Sequence, residues 1–372
     1  MKNVLFIHSS AELYGSDRSL LYLVSNLDKT RFGIHVLLPV DGPLVTEMKK
    51  LDGVTVNIFE VAVLRRKNLS VKGMRQYVNY FRISCRYIKD YIQFHNIDIV
   101  YTNTAVVFPG GIAAKHMHKK SVWHIREIIK SNLENRVVSC IIKRFSDVII
   151  ANSGATGRAI SSNAEKVHVV YNAVEDKTDR SIPVKAEGQE WGVGMAGRIN
   201  RWKGQKLFVD AAELVLKQVP NVRFEIAGAA YEGEEYLAED LKHYIVEKGL
   251  TDKICLLGQV TDMDGFYSNL DVFVLPSIQP EPFGLVVLEA MEWAVPVVAT
   301  NHGGPAEILQ DGVNGYLVSY EDATEMSERI VNLLQDEDCR MRIGSQGKKR
   351  KRDAFSLEKT VSSIEEILEH LL

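Results

Sequence analysis

The stretch PSIQPEPFGLVVLEAM, residues 276–291, places two carboxylates, Glu281 and Glu289, eight residues apart. The first lies in a proline-containing loop that follows the apolar run DVFVLP, and the second falls on the opening turns of an apolar helical run. Gly284 is expected at the helix start, where the dipole and the free backbone N–H groups favour anionic ligand groups. An ionised carboxylate only accepts hydrogen bonds, which suits ligand hydroxyls. One loop carboxylate and one helical carboxylate could hold two rings of a ligand that also carries anions, as the hexose and ribose of a sugar nucleotide are carried. A loop followed by a helix with a solvated Glu fits the same letters.

A second set of groups follows the apolar run that ends at Ala196. In GRINRWKGQ, Gly197 frees the backbone to turn, Arg198 follows at once, and Lys203 comes near the start of the next helix. A planar guanidinium fork and a compact ammonium could together grip a diphosphate, although surface bases would read alike. Gly228 and Gly258 also close apolar runs, and in NHGGPAEI the pair Gly303 and Gly304 could offer backbone N–H groups to an anion or simply make a tight turn. WHIREI places His124 at a run's end with Arg126 and Glu127 beside it, where they could read a ligand. A structural histidine would fit that place as well.

The elements that must position these groups alternate regularly. In the first half, apolar β-type runs are Val4–Ile7, Gly33–Leu38, Val54–Ile58, Ile97–Tyr101, Ser121–Ile125, Val148–Ala151 and Val167–Val170. In the second they are Trp191–Ala196, Val222–Ala227, Ile254–Leu257, Val272–Leu275, Val297–Thr300 and Tyr316–Val318. Val/Ile-rich runs without polar alternation read as strands buried on both faces, and the helical patterns between them predict βαβ units and parallel sheets. Ligands of such sheets bind beyond the carboxyl ends of the strands. With 372 residues, two domains are expected: 1–175, a polar linker at 176–190, 191–355, and a C-terminal helix, 356–372, that packs on a domain surface and is expected to return to the first domain.

Charge divides between the halves. Residues 1–172 carry 24 Lys and Arg against 13 Asp and Glu, and the remainder 21 against 35. Much of the excess lies in 65–89, with Arg65, Arg66, Lys67, Lys72, Arg75, Arg82, Arg86 and Lys89, interleaved with apolar residues as in an amphipathic basic helix. Such a face suits an anionic bilayer or a phosphorylated partner, or simply solvent. Lys348–Arg352 reads as a solvated basic run. The four cysteines form no C-x-x-C pair, so neither a disulfide framework nor a zinc site is expected. No apolar stretch approaches a membrane span or a signal-peptide core. A soluble, cytoplasmic protein is expected, with peripheral contact to the inner face of the membrane open through segment 65–89.

In this setting EPFGLVVLEAM resembles the E-x7-E motif of the family 4 glycosyltransferases. LYGSDRSL, WHIREI, IIANS, VVYNAVE, GRINRWKG, EIAGAA, LLGQV, DVFVLPS, GGPAEIL and DGVNGYLV follow the family's order over nearly the whole chain. The resemblance implies the GT-B architecture, two Rossmann-like doubly wound parallel-sheet domains facing across a cleft. It implies a retaining, metal-independent transfer from a nucleoside-diphosphate sugar to a glycan or lipid-linked acceptor, with no nucleic-acid partner. Glu281 would contact the donor hexose, Glu289 the ribose, Arg198 and Lys203 the diphosphate, and His124 the donor sugar or the acceptor. Gly15, Gly258, Phe283, Gly284 and Leu285 would complete donor binding. Two positions depart from the family: Tyr14 and Gly15 stand where Gly-Gly is frequent, and Ala173 stands in NAV where NGV is usual. A GT-B sugar-nucleotide epimerase or hydrolase, or a noncatalytic sugar-nucleotide-binding protein, remains as the alternative.

Overall fold

The structure is a computed structural model that describes residues 1–371 except 65–67, 69, 130–131, 161–166 and 178–187. The chain forms two compact units, Met1–Ala173 together with the segment from Leu357, and Val174–Ser356.

The first unit contains β1 (Lys2–Ile7), α1 (Gly15–Asn26), β2 (Phe32–Leu38), α2 (Pro43–Met48), β3 (Val54–Ile58), α3 (Val71–Phe94), β4 (Ile99–Thr102), α4 (Pro109–His116), β5 (Lys120–Ile125), α5 (Asn132–Phe145), β6 (Val148–Ala151), α6 (Gly154–Ile160) and β7 (Val167–Val169). Its seven strands are all parallel, in the order β3-β2-β1-β4-β5-β6-β7. Strands such as IVYT in β4 are buried at every position, because helices cover both faces of the sheet.

The second unit contains β8 (Trp191–Ala196), α7 (Gln205–Leu216), β9 (Val222–Ala227), α8 (Tyr236–Glu247), β10 (Ile254–Gly258), α9 (Met263–Ser268), β11 (Val272–Leu275), α10 (Leu285–Glu292), β12 (Val297–Thr300), α11 (Pro305–Ile308), β13 (Tyr316–Val318), α12 (Ala323–Gln335) and α13 (Glu337–Ala354). Its six parallel strands run β10-β9-β8-β11-β12-β13. Strand order therefore reverses between β1 and β4 in one unit and between β8 and β11 in the other. These reversals open the crevices where doubly wound sheets bind ligands.

The last helix, α14 (Leu357–His370), belongs to the first unit. Val361, Ile364 and Leu368, at helical spacing, are buried in the cluster that holds Leu20, Leu23 and Val24 of α1. Arg31 forks to Glu365 and Glu369 on its polar side.

Two sequence expectations are refined here. The basic segment becomes helical from Val71, capped by the Ser70 hydroxyl on Gly73 N–H at 3.1 Å; Arg65, Arg66 and Lys67 lie outside the described residues. Lys348–Arg352 is not a solvated run throughout. Lys351 is 0% exposed, and its ammonium lies 2.7 Å from Glu292 and 2.6 Å from Asp176. Five consecutive bases on a helix spread around its whole circumference, so one of them must face the α10 helix on which α13 packs.

Candidate functional site

In the second unit the loop after β8 is built to aim Lys203. Asn200 Oδ1 accepts from the backbone N–H groups of Trp202 at 3.0 Å and Lys203 at 2.9 Å, an Asx-type turn. Gly204 then takes φ +77°, and a Cβ there would sit 1.7 Å from the Pro276 carbonyl oxygen. Only glycine permits that approach of the β8 loop to the end of β11. Gln205 ties α7 back to the loop by donating to the Arg198 carbonyl at 2.9 Å.

The result is a nearly buried ion pair. Lys203 Nζ lies 2.7 Å from Glu281 Oε2, and the Ser277 hydroxyl donates to the same oxygen at 3.1 Å. Arg198 stacks its guanidinium 3.9 Å over the Tyr231 ring. Gly284 caps α10 with φ +96°, and Leu285 opens the helix. Glu289, one turn further on, accepts from the Tyr267 hydroxyl at 2.8 Å. Phe283 is buried, with its ring 6.1 Å from that of Phe355, so its side chain packs in the unit's interior. Gly258 ends β10 with its carbonyl accepting from Gly228 N–H at 2.7 Å.

The Gly303–Gly304 pair has a different task from the anion nest considered above. Gly304 N–H donates to the Glu281 carbonyl at 2.8 Å, and a Cβ on Gly303 would meet that oxygen at 2.2 Å. The two glycines clasp the backbone that carries Glu281. His302 joins them: its Nε2–H donates to the Ser277 carbonyl at 2.6 Å, and its ring stacks on Tyr320. Burial holds the His302 imidazole below its ordinary pKa.

In the first unit, register gathers a second polar cluster. Phe6 of β1 pairs with Tyr101 of β4, which pairs with Val122 of β5, which pairs with Val148 of β6. Two residues further along each strand, on the same face, come His8, Asn103, His124 and Ile150. His8 Nε2 meets Asp17 Oδ1 of α1 at 2.8 Å, and Asp17 Oδ2 accepts from Tyr14 N–H at 3.0 Å. This fixes the Tyr14–Gly15 turn, and a Cβ on Gly15 would meet nothing within 4 Å. Arg126, buried, donates to Asn103 Oδ1 at 2.7 Å and Asn172 Oδ1 at 2.6 Å. Glu127 accepts from the Thr104 hydroxyl and from Ala105 N–H.

His124 lies at the centre of that cluster. Its Nδ1 is 2.6 Å from the Tyr101 hydroxyl and 3.3 Å from Arg126 Nη2, whereas its Nε2 is buried without a hydrogen-bond partner among the described residues. Burial, reinforced by the Arg126 charge, keeps its pKa well below the ordinary 6.5. The imidazole is neutral at physiological pH.

Ser277, Tyr231, Tyr267 and His302 in one unit, and His8, Asp17, Tyr101, Asn103 and Asn172 in the other, were not singled out from the sequence. A usable signal exists for some of them: His8 and Asn103, like His124, come at or just past the end of an apolar run. Among the described residues no helix is long and apolar enough to cross a membrane, and no three His, Cys, Asp or Glu side chains form a group that could hold a metal ion.

Comparison with known proteins gives concordant findings. Residues 176–350 match the family model described as Glycosyl transferases group 1, and residues 14–178 the model described as Glycosyltransferase Family 4. The chain is 29% identical over 239 residues, 62% of its own length and 68% of the relative's, to the lipopolysaccharide core biosynthesis mannosyltransferase LpsB of Rhizobium meliloti. It is 26% identical over 228 residues, 61% of its length and 57% of the relative's, to the capsular polysaccharide biosynthesis glycosyltransferase CapM of Staphylococcus aureus. Among solved structures, Anabaena Alr3699/HepE in complex with UDP and glucose is similar at a TM-score of 0.83 and 25% identity, covering 99% of this chain and 100% of that one.

Proposed function

The chain belongs to the group 1, family 4 glycosyltransferases and has the GT-B fold; on that premise we propose that it transfers a sugar, with retention and without a metal, from a nucleoside-diphosphate sugar to a glycan or lipid-linked acceptor in cell-surface polysaccharide or glycolipid synthesis. The observation that carries the reading is the Lys203–Glu281 pair, held beside the reversal between β8 and β11, where such sheets bind nucleotides.

Each residue then has a role in the donor. Glu281, presented with Ser277, takes the hexose hydroxyls, and Glu289, steadied by Tyr267, takes the ribose. Gly284 and Leu285 offer the α10 N-terminus, and Gly258 and the Phe283 backbone line the same donor. Arg198 and Lys203 are aimed at the negative charge that develops on the diphosphate as it departs. Gly15 and His124 serve the sugar and acceptor from the first unit. A double displacement would need a carboxylate nucleophile at the anomeric carbon. Glu281 Oε2 is already engaged by the Lys203 ammonium and the Ser277 hydroxyl, which favours a same-face departure in which the leaving phosphate takes the acceptor proton. UDP is the favoured nucleotide, because the Anabaena relative is seen with UDP and glucose.

A thermal-shift panel of UDP-, GDP-, ADP- and dTDP-sugars tests this, since a ligand at 100 times its Kd adds about 2.7 kcal/mol to the native state. UDP-sugars are expected to raise Tm. Arg198→Ala and Lys203→Ala are expected to abolish turnover at saturating donor, and near-native rates in either would end the proposal. Rapid release of free nucleotide from donor alone would favour the epimerase or hydrolase reading.

A second reading concerns location. On α3, Arg75, Arg82 and Arg86 are exposed alongside Val78 and Ile83, and α5 exposes Leu133 and Val137 beside Arg136. Bases flanked by exposed aliphatics suit the anionic inner face of a membrane reached from the cytoplasm. Binding to phosphatidylglycerol vesicles is expected to fall with added salt and with Arg75→Glu/Arg82→Glu; salt-independent binding would remove this reading.

A further inference from the structure

We propose that Tyr101 and Arg126 are positioning residues that hold His124 in a single tautomer, proton on Nε2, so that it presents a fixed hydrogen-bond donor to a substrate oxygen and cannot act as a base. The substrate side of this inference rests on the glycosyltransferase reading above; the tautomer does not.

The assignment follows from which groups can donate. Arg126 Nη2 lies 3.3 Å from His124 Nδ1, and a guanidinium has donors only, so the nitrogen facing it must carry the lone pair. The Tyr101 hydroxyl, 2.6 Å from the same nitrogen, is fully buried, and His124 is its hydrogen-bond partner among the described residues. Its proton therefore also points to Nδ1. A neutral imidazole that accepts at Nδ1 carries its proton on Nε2. That Nε2 is buried and finds no acceptor among the described residues, an arrangement that native proteins rarely leave without a purpose.

The surroundings keep the arrangement in one state. Arg126 is itself locked by the amide oxygens of Asn103 and Asn172, so it cannot swing away from the imidazole. Burial lowers the Arg126 pKa from its ordinary value, and against it Tyr101, Glu127, anchored to Thr104 and Ala105, and Asp17, anchored to His8, favour the cationic form. Protonating His124 would set a second N–H against that fixed cation. Burial pushes in the same direction. What Nε2–H can meet is a ligand oxygen with a free lone pair, as on a sugar hydroxyl or a phosphate.

The test uses the full chain with ¹⁵N-labelled histidine. Two-bond ¹H–¹⁵N correlation spectra, with the His124 signals identified by their loss in His124→Gln, are expected to show a pyrrole-type Nε2 and a pyridine-type Nδ1. No titration of this ring is expected at its ordinary pKa of about 6.5. Tyr101→Phe, which leaves Arg126 in place, is expected to keep the proton on Nε2, whereas Tyr101→Phe/Arg126→Met is expected to mix the tautomers. In turnover assays, His124→Gln, whose amide N–H falls near the Nε2 position, is expected to keep about tenfold more kcat than His124→Asn, whose amide falls near Nδ1, the worth of one hydrogen bond. Tyr101→Phe is expected to lower kcat with little change in donor KM. A proton found on Nδ1, or a kcat inflection in the unmodified protein that disappears in His124→Gln, would overturn the proposal. If no sugar donor were turned over, the spectra would still decide the tautomer, so the two readings can fail separately.

Discussion

Lys203 and Glu281 neutralise each other across 2.7 Å, 78 residues apart in sequence, with side chains 14% and 10% exposed. The cation assigned to the donor's diphosphate and the acid assigned to its hexose are thus one unit. Lys203→Met leaves a nearly buried carboxylate with the Ser277 hydroxyl as partner, and breaking such a pair costs ~3–5 kcal/mol. Glu281→Gln keeps the Ser277 contact and should cost less. The double variant should recover part of the loss in denaturant titrations. Simple additivity of the two single variants, within about 0.5 kcal/mol, would show that the pair is not coupled.

Arg198 lies flat on Tyr231, which is half exposed. Cation–π contacts of this kind contribute about 0.5–1 kcal/mol and restrict where the guanidinium points. Tyr231→Phe should leave kcat/KM for the donor near its original value, and Tyr231→Ala should lower it by about two- to fivefold. Equal loss in both variants would assign the effect to the hydroxyl instead.

Three histidines are held below their ordinary pKa, His124 by burial and the Arg126 charge, His302 by burial, and His35 by burial and the neighbouring His95. Below about pH 6.5 the unfolded chain therefore binds more protons than the native state, and stability falls as pH falls through this range. Above it the contribution is fully present. Tm measured from pH 8 down to pH 5 should decline less steeply in His124→Gln than in the unmodified protein. Parallel curves would show that His124 titrates normally in the fold.

Lys351 sits without exposure between Glu292, 5% exposed, and the more open Asp176. Glu292 also accepts from Lys177 N–H at 3.0 Å, so this cation fastens the 176–177 segment to α10 and α13. Lys351→Met strands the Glu292 carboxylate and should cost ~3–5 kcal/mol in chemical denaturation. Adding Glu292→Leu should return much of it, because a packed apolar pair needs no compensating charge. No recovery would mean that the backbone ties at 175–177 depend on the carboxylate itself.

The architecture could be read from the chain because β4 and β6, IVYT and VIIA, are buried on both faces and so carry no charged residue that would blur the pattern. The residues proposed for the donor were picked out for a related reason. Arg198, Glu281 and Gly284 stand just past apolar runs, at the ends where a parallel sheet exposes its ligands. Lys351 was not legible, since a helical base is solvated or buried according to the face its helix turns inward. The task of Gly303 and Gly304 was also hidden, because a glycine that serves a tight approach and one that cradles an anion are the same letter.

By itself the sequence determined the two parallel sheets, the order of their elements and the strand ends at which chemistry would collect, because burial on both faces and helical periodicity are local properties of the chain. Tertiary structure alone decided which side chains meet. Lys203 finds Glu281, Tyr267 finds Glu289, and Tyr101 with Arg126 settles the proton on His124, through registers and loop closures between segments far apart in sequence. Hydrogen bonds form over about 3 Å, and no local pattern of residues specifies a distance of that scale between remote strands.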